Sequence, residues 1–357
     1  MAFPETMKGV QLTGHGGPEK LLWNDAIPTP IPGPRDALVR VLAAGINNTD
    51  INTRIGWYSK AIAGSTADSK NTADIESGGW AGSIQFPRIQ GSDLCGKIVA
   101  IGSEVRNVAV GMRVVCPTNQ PDPTAEAPTQ FRAIGSEFDG AFAQYCVVPA
   151  AQLHDVTDSP LTDIELGAMP CAYGTAYNLL SRSQVGAGDR LIVTGASGGV
   201  GLAVVQLAKL SGAHVCAQAS ASKHATVRAA GADELLDREE APLPRSATVV
   251  IDIVGGPSWQ ALIEALRPGG RYASSGAIAG PIVTADLRTL YLNDLTIYGC
   301  TYTPHATFTA LVALINKGVV RPLVSKTYPL SDIAAAQAEF ATKMLPGKLV
   351  LVPPGDQ

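Results

Sequence analysis

The chain has 357 residues, of which 46% are hydrophobic, and carries 27 Lys and Arg against 31 Asp and Glu. The net charge of −4 argues against nucleic acid or anionic lipid as a partner, since neither is attracted to a surface without basic clusters. No apolar stretch reaches the roughly 20 residues of a membrane span, and the N-terminus lacks the basic and then apolar pattern of a secretion signal. We therefore expect a globular, cytoplasmic protein with two cores.

The six cysteines show no C-x-x-C spacing, which excludes a four-cysteine structural zinc site of the usual kind. A chain of this size without a secretion signal rarely forms disulfides. We therefore predict that most of the cysteines are buried free thiols.

The first half of the chain predicts a β-barrel or sandwich. Short β-rich runs alternate with Gly and Pro, and the candidate strands are residues 9–13, 37–43, 97–101, 113–116 and 143–148. Residues 59–85 have no sustained period and predict a long surface insertion, and residues 117–138 predict a second long loop.

From about residue 156 helices alternate with short apolar strands, which is typical of βαβ units and a parallel sheet. The predicted strands are residues 190–194, 214–218, 234–236, 248–254, 271–275 and 295–299, with a helix at 200–210. The pattern then predicts a helix at 306–317, a helix capped by Ser331 and a last strand at 348–352. We expect this tail to pack on the N-terminal domain.

The segment Leu191-Ile-Val-Thr-Gly-Ala-Ser-Gly-Gly-Val-Gly201 predicts a strand that turns through small residues into a helix. A helix N-terminus offers backbone N–H groups and a partial positive charge to a pyrophosphate. The dinucleotide fingerprint G-x-G-x-x-G is present from residue 196 to 201, with Ala196 in its first place. A glycine-rich turn that binds no ligand is the alternative.

Several motifs occur in one order along the chain, and together they resemble the medium-chain dehydrogenase/reductase superfamily in its zinc-independent, quinone oxidoreductase-like branch. The motifs are Gly45-Ile-Asn-Asn-Thr-Asp50, Gly91-Ser-Asp-Leu-Cys-Gly96, Val110-Gly-Met-Arg-Val114, Gly140-Ala-Phe-Ala-Gln-Tyr145, Thr194 to Gly201, and Gly347-Lys-Leu-Val350. The resemblance implies an α/β protein with a GroES-like β-barrel catalytic domain, residues 1–155 completed by 303–357. It also implies a Rossmann domain with a doubly wound parallel sheet, residues 156–302, and an active site in the cleft.

The resemblance also gives the places of a catalytic zinc site, which in zinc enzymes hold Cys, His, Glu and Cys. Here Asn47, Ser92, Asp93 and Cys171 fill them. Asn and Ser are poor zinc ligands, so we expect no zinc. Without a Lewis acid, hydride transfer depends on hydrogen bonds to the substrate, which favours reduction over alcohol oxidation. The Tyr that quinone oxidoreductases often carry five residues after the Asn is Asn52 here.

By the same resemblance the candidate catalytic residues are Asn47, Thr49, Asp93 and Tyr58. Thr49 stands where zinc enzymes place the hydroxyl that relays a proton. The alternative for Asn47 and Thr49 is a loop cap, which Asn and Thr form often. For Tyr58 the alternative is ordinary packing.

The cofactor prediction rests on a segment without acidic residues. NAD-binding folds place an Asp or Glu near the end of the second strand to hold the ribose 2′-hydroxyl, and residues 216–224 contain neither. Ser220, Ser222 and Lys223 offer two hydroxyls and a cation to a 2′-phosphate, so we predict NADPH over NADH. A Lys223 that merely starts the next helix is the alternative. The predicted cofactor-binding residues are Thr175, Ser197, Gly198, Gly199, Val200, Ser220, Ser222, Lys223, Val254, Gly276, Ala277 and Ile278.

The sequence thus predicts an NADPH-dependent oxidoreductase that transfers a hydride to a carbonyl, a quinone or an activated C=C bond of a small molecule. The alternatives are a zinc-type alcohol dehydrogenase with altered ligands and a nucleotide-binding protein without turnover. A homodimer is expected because the superfamily commonly pairs Rossmann sheets at their edges, and residues 295–299 are an apolar candidate edge. The sequence does not identify the substrate.

Overall fold

The computed structural model describes residues 3–67, 78–80 and 82–355. Within them the chain forms two units. The first contains residues 3–62, 78–80, 82–174 and 304–355, and the second contains residues 63–67 and 175–303. The chain passes between them at residues 62–63, 174–175 and 303–304. The crossing at 174–175 lies later than the predicted boundary at 155–156. The predicted insertion at 59–85 lies partly outside the described residues.

All strands are numbered in chain order. They are β1 (Thr6–Leu12), β2 (Leu21–Pro28), β3 (Asp36–Gly45), β4 (Arg88–Ile89), β5 (Cys95–Ile101), β6 (Arg113–Val115), β7 (Asn119–Pro121), β8 (Phe131–Ala133), β9 (Tyr145–Pro149), β10 (His154–Asp155), β11 (Arg190–Val193), β12 (His214–Ala219), β13 (Glu234–Asp237), β14 (Ala247–Asp252), β15 (Leu266–Ser274), β16 (Thr296–Gly299), β17 (Val324–Pro329) and β18 (Lys348–Val352).

The helices are numbered in the same way. They are α1 (Asn48–Arg54), α2 (Asp163–Leu166), α3 (Pro170–Arg182), α4 (Gly199–Leu210), α5 (His224–Ala229), α6 (Trp259–Glu264), α7 (Leu287–Leu292), α8 (His305–Asn316) and α9 (Ile333–Ala341). None of the described helices is long and apolar enough to cross a membrane.

The first unit is built around β3, which pairs antiparallel with β5, β9 and β18. The larger sheet runs in the order β10-β6-β5-β3-β18-β17, and β2-β1-β4 form a smaller one. Most of the β3 side chains are buried because the strand lies in the middle of its sheet. The C-terminal strand β18 contacts β3 at Gly45, the last residue before the candidate site, so both ends of the chain build this unit.

The second unit contains a parallel sheet in the order β13-β12-β11-β14-β15-β16. In chain order these strands are the third, second, first, fourth, fifth and sixth of the unit, which is the Rossmann arrangement. The predicted fold class, α/β with a GroES-like domain and a doubly wound parallel sheet, is confirmed. The switch in strand order falls between β11 and β14, where dinucleotides bind in such sheets.

Two local predictions are wrong. Ser331 lies inside a 3-10 turn (Leu330–Asp332) and α9 begins after Asp332, so Ser331 does not cap the helix. The predicted loop at 117–138 contains the β7–β8 hairpin. The six cysteines are free and buried, as predicted.

We predict that Gly201→Ala destabilises the protein. A Cβ at Gly201 would lie 2.3 Å from the Gly195 carbonyl oxygen and 2.5 Å from the Ala196 Cα, which are backbone atoms that cannot easily move. Such overpacking typically costs about 1–3 kcal/mol, and the helix preference of Ala returns only about 1 kcal/mol. Urea unfolding without cofactor measures the difference.

Gly198→Ala is the matched control, because the nearest atom to its Cβ would be the Gly195 oxygen at 3.5 Å. This variant should unfold at the urea concentration of the parent. Equal stability of the two variants would show that the strand and helix do not approach as closely as described.

Candidate functional site

The first polar group of the site forms where β3 ends and α1 begins. Asn47 has an extended backbone, and its N–H donates to Asp50 Oδ2 at 2.8 Å. The Ser92 N–H donates to the other Asp50 oxygen at 3.2 Å. Burial, with the nearby Asp93 charge, raises the pKa of Asp50 to about 7. Asp50 therefore fixes the start of α1 to the segment before β5.

Asn47 and Asp93, both predicted as catalytic, are hydrogen-bonded to each other. Asn47 Nδ2 donates to Asp93 Oδ2 at 2.9 Å and to Ser92 Oγ at 3.1 Å. Asp93 Oδ1 accepts the Cys171 N–H at 2.6 Å. All four residues are buried, and Asp93 is fully so. The amide of Asn47 is thus engaged inside the protein, which favours an ordering role over contact with a substrate.

Lys348 completes this group and was missed by the sequence reasoning. Its Nζ donates to Ile46 O at 2.8 Å, to Asn47 Oδ1 at 2.5 Å and to Asp93 Oδ2 at 2.9 Å. A lysine at the start of an otherwise apolar strand was the available signal, since a buried charge needs a partner. We call Asn47, Ser92, Asp93 and Lys348 the polar centre.

The residues at the four zinc places do come together, but they do not fit a zinc ion. Zinc favours thiolate and imidazole, whereas the polar centre offers an amide, a hydroxyl and a carboxylate already paired with an ammonium. Burial, with the Asp93 charge, raises the pKa of the Cys171 thiol to about 12. Among the described residues no group of three or more His, Cys, Asp or Glu could hold a metal.

Thr49 and Tyr58 form the second predicted catalytic pair. The Tyr58 hydroxyl donates to Thr49 Oγ1 at 3.1 Å, so this bond does not use the proton of Thr49. Burial raises the pKa of Tyr58 to about 12, which keeps the phenol protonated. Trp57 packs edge-on against the Tyr58 ring and Trp80 stacks on it. Thr49 can therefore donate its hydroxyl proton to a ligand, and Tyr58 can donate its own proton to Thr49.

In the second unit the glycine-rich turn follows β11. Gly195 has a φ of +58°, a conformation that glycine adopts at little cost. Gly198 precedes α4, and a Cβ there would meet no atom closer than 3.5 Å, so the backbone is open to a ligand. The first N–H groups of a helix lack intrahelical partners. The turn containing Ser197, Gly198, Gly199 and Val200 therefore fits a pyrophosphate.

Other predicted cofactor-binding residues lie beside this turn. The Ala279 N–H donates to the Val254 carbonyl at 2.9 Å, which joins the loop after β14 to the loop of Gly276, Ala277 and Ile278. The Ala196 N–H donates to the Gln218 carbonyl at 3.0 Å and links the turn to β12. Thr175 lies in α3, which precedes β11 in the chain.

Asp252 orders the loop that carries Val254. Its Oδ1 accepts from Thr194 Oγ1 at 2.7 Å and from the Val254 and Gly255 N–H groups, and its Oδ2 accepts from the Tyr272 hydroxyl at 2.6 Å. The hydrogen bonds of Asp252 to Thr194 and Tyr272 were not predicted from the sequence. Because Asp252 is fully buried, these bonds fix the strand ends around the turn.

Ser220, Ser222 and Lys223 lie after β12, where a ribose 2′ substituent is expected. A 3-10 turn (Ala221–Lys223) carries two of them, and its first N–H donates to Asp237 Oδ2 at 3.0 Å. Burial, together with the nearby Arg238 charge, lowers the pKa of Lys223. Arg238 was not among the predicted residues, because it follows β13, a different strand.

A Rossmann sheet with an open glycine turn, together with a β-rich unit that carries paired hydroxyls, defines a nicotinamide-dependent dehydrogenase or reductase. Two family models match the chain: the alcohol dehydrogenase GroES-like domain at residues 33–158 and the zinc-binding dehydrogenase at residues 199–317. The chain belongs to the medium-chain dehydrogenase/reductase superfamily and is an NAD(P)-dependent oxidoreductase.

Solved structures and curated proteins agree with this family. A structure from Sinorhizobium meliloti 1021, provisionally assigned as an alcohol dehydrogenase, is 39% identical with a TM-score of 0.86, covering 99% of this chain and 98% of that one. The quinone oxidoreductase of Pseudomonas aeruginosa is 28% identical, covering 97% of this chain and 99% of its own. The Streptomyces 2-octenoyl-CoA carboxylase reductase CinF, solved with NADP and 2-octenoyl-CoA, is 26% identical with a TM-score of 0.85, covering 100% and 90%.

Proposed function

We propose that this protein is an NADPH-dependent reductase that transfers a hydride to a carbonyl, a quinone or an activated C=C bond without a catalytic zinc. The observation that carries this proposal is the Tyr58–Thr49 hydroxyl pair, which lies in the same unit as a polar centre whose carboxylate is paired with Lys348. CinF and the quinone oxidoreductase support the reaction class, since one was solved with NADP and an enoyl thioester and the other is named for quinones.

When bound, NADPH supplies the hydride. Thr49 donates a hydrogen bond to the substrate oxygen, which becomes more negative as the hydride adds to carbon, so the bond strengthens in the transition state. In carbonyl reduction Thr49 then gives its proton to that oxygen, and Tyr58 gives its own proton to Thr49. Solvent reprotonates Tyr58 at the end of the cycle. In reduction of a conjugated C=C bond, Thr49 stabilises the enolate oxygen and the carbon takes its proton from solvent.

Replacement of Thr49 by Val tests this role. We expect kcat/KM with the best substrate from a panel of quinones, enones and aldehydes to fall well over tenfold, because the donor to the substrate oxygen is lost. Tyr58→Phe keeps the Thr49 hydroxyl and should cause a smaller loss. Steady-state NADPH oxidation measures both.

The matched control is Thr53→Val, which removes a buried hydroxyl from the same short helix α1. Its kcat/KM should stay within about threefold of the parent, an effect of the size expected from small changes in packing. An unchanged rate in Thr49→Val would remove Thr49 from the mechanism. NADPH binding without turnover on the whole panel would favour a non-catalytic protein instead.

The preference for NADPH is part of the same proposal, with Lys223 as the cation for the 2′-phosphate and Arg238 as a second cation near it. Lys223→Ala should raise the KM for NADPH about tenfold to a hundredfold, since a charge-assisted hydrogen bond contributes about 1.5–3 kcal/mol. The KM for NADH should barely change, because NADH has no 2′-phosphate.

Arg228→Ala is the control, since Arg228 is an exposed cation on the helix that follows Lys223. Its KM for NADPH should equal that of the parent. A KM for NADH equal to or below that for NADPH in the parent protein would refute the preference.

We also propose a homodimer formed through the edge of the parallel sheet. β16 is the last strand of this sheet, and Ile297 on it is exposed, as are Leu287, Tyr291 and Leu292 on α7. An apolar strand at a sheet edge pairs readily with a second copy. We also predict that the protein is located in the cytoplasm.

Light scattering of the double variant Leu292→Lys and Ile297→Lys tests the dimer. We expect the parent to have the mass of two chains and the variant that of one, because two charges would be buried in each half of the interface. Ile31→Lys changes an exposed apolar residue of the first unit and should leave the mass unchanged. A monomeric parent would contradict the proposal.

A further inference from the structure

Tyr58 lies outside regular secondary structure, so its side chain depends on packing for its position. Helix α1 ends at Arg54, and the chain then continues in turns, with Gly56 at a φ of +70°. The hydroxyl lies at the far end of the ring from the backbone, so a small rotation about the Cα–Cβ bond would carry it away from Thr49. In an active site a misplacement of about 1 Å can cost about 100-fold in rate.

An aromatic stack holds the Tyr58 ring in its plane. The rings of Tyr58 and Trp80 are parallel to within 1°, and their centroids lie 5.9 Å apart. This is an offset stack, which aromatic pairs prefer at centroid distances of roughly 4.5–7 Å. Trp57 meets the Tyr58 ring at 76°, with the centroids 5.6 Å apart. The hydroxyl thereby stays at 3.1 Å from Thr49 Oγ1.

Trp80 is in turn held by the segment that contains the β7–β8 hairpin. Its backbone N–H donates to Ser136 Oγ at 3.2 Å, and this hydroxyl donates to Glu137 Oε1 at 2.9 Å. The other Glu137 oxygen accepts the N–H of Ala133, the last residue of β8, at 2.8 Å. Phe131, the first residue of β8, meets the Trp80 ring at 80° with the centroids 6.3 Å apart. The position of the indole is therefore set by a second part of the same unit.

We propose that Trp80 is a positioning residue for the Tyr58 hydroxyl, and that it supports carbonyl reduction more than reduction of a conjugated C=C bond. The indole holds the phenol where it donates to Thr49. The two reactions differ because only carbonyl reduction passes the Tyr58 proton on to Thr49. This inference rests on the proposed function, and it assigns a role to a residue of the predicted insertion at 59–85.

The first test follows the Tyr58 phenol without turnover. The protein is labelled with 3-fluorotyrosine, whose fluorine lowers the phenol pKa into a measurable range, and the Tyr58 signal is the one that Tyr58→Phe lacks. Burial raises the pKa of Tyr58. Trp80→Leu should lower this pKa by about one pH unit in a fluorine NMR titration, because water reaches the released phenol. An unchanged pKa overturns the proposal.

The second test compares two classes of substrate. Trp80→Leu should lower kcat with the best aldehyde about fivefold and kcat with the best enone less than about twofold, because a proton donor is misplaced only in the first reaction. In the Tyr58→Phe protein the same change should cause no further loss with the aldehyde, since the donor is already gone. Equal losses with both classes, or additive losses in the double variant, contradict the proposal.

Two controls separate stacking from other effects. Trp80→Phe keeps a flat ring, so the Tyr58 pKa and both rates should stay close to those of the parent. If it loses as much as Trp80→Leu, stacking is not the cause and the proposal fails. Trp23→Leu makes the same change at an exposed indole on β2 and should alter neither measurement.

The two tests also separate this inference from the proposed function. Trp80 is only partly buried, so we expect Trp80→Leu to fold, and urea unfolding checks this. A protein that reduces nothing on the substrate panel would contradict the proposed function. The fluorine titration would then still decide whether Trp80 positions Tyr58.

Discussion

The buried ion pair between Lys348 and Asp93 is the interaction on which the first unit depends. The two residues are 255 positions apart, yet their charged atoms lie 2.9 Å from each other with almost no exposure. Loss of one partner from a buried pair typically costs about 3–5 kcal/mol, because the other charge stays behind in a dry site. The last strand of the chain is therefore required for the site as well as for the sheet.

Hydrogen bonds connect this ion pair to the start of α1 and fix its position. Lys348 and Asp93 hold the Asn47 side chain from its two ends, and the Asn47 backbone in turn binds Asp50. In the chain, Thr49 lies between Asn47 and Asp50, in the first turn of α1. In the proposed mechanism the Thr49 hydroxyl donates to one substrate oxygen, and a fixed backbone favours this because preorganised donors need no rearrangement during the reaction. Asp252 has the same function in the other unit, where it orders the loop of Val254.

Features encoded by neighbouring residues were predictable, and features that join distant segments were not. The strands of the parallel sheet and the glycine turn follow from local periodicity and from residues without side chains, and the structure has them within a few positions. Lys348 belongs to a motif that the sequence shows, but no local pattern predicts which carboxylate this lysine will pair with in the folded protein. Arg238 was missed for the same reason, because its proximity to Lys223 arises from the pairing of β12 with β13. Ser331 shows the opposite error, where a favourable capping residue was overridden by a 3-10 turn.

In the proposed mechanism, the saturation of Lys348 by three hydrogen bonds also limits which substrates the protein can reduce. Because the three protons of the Lys348 ammonium are bound to Ile46, Asn47 and Asp93, none is left to polarise a substrate. In the proposed mechanism the Thr49 hydroxyl polarises the substrate oxygen instead. A neutral hydrogen bond stabilises a developing oxyanion less than a metal ion does. Quinones and conjugated carbonyl compounds form a delocalised anion after hydride addition. They therefore need the least stabilisation of a developing oxyanion. The proposed mechanism therefore favours them over simple ketones, for which the alkoxide charge stays on one oxygen.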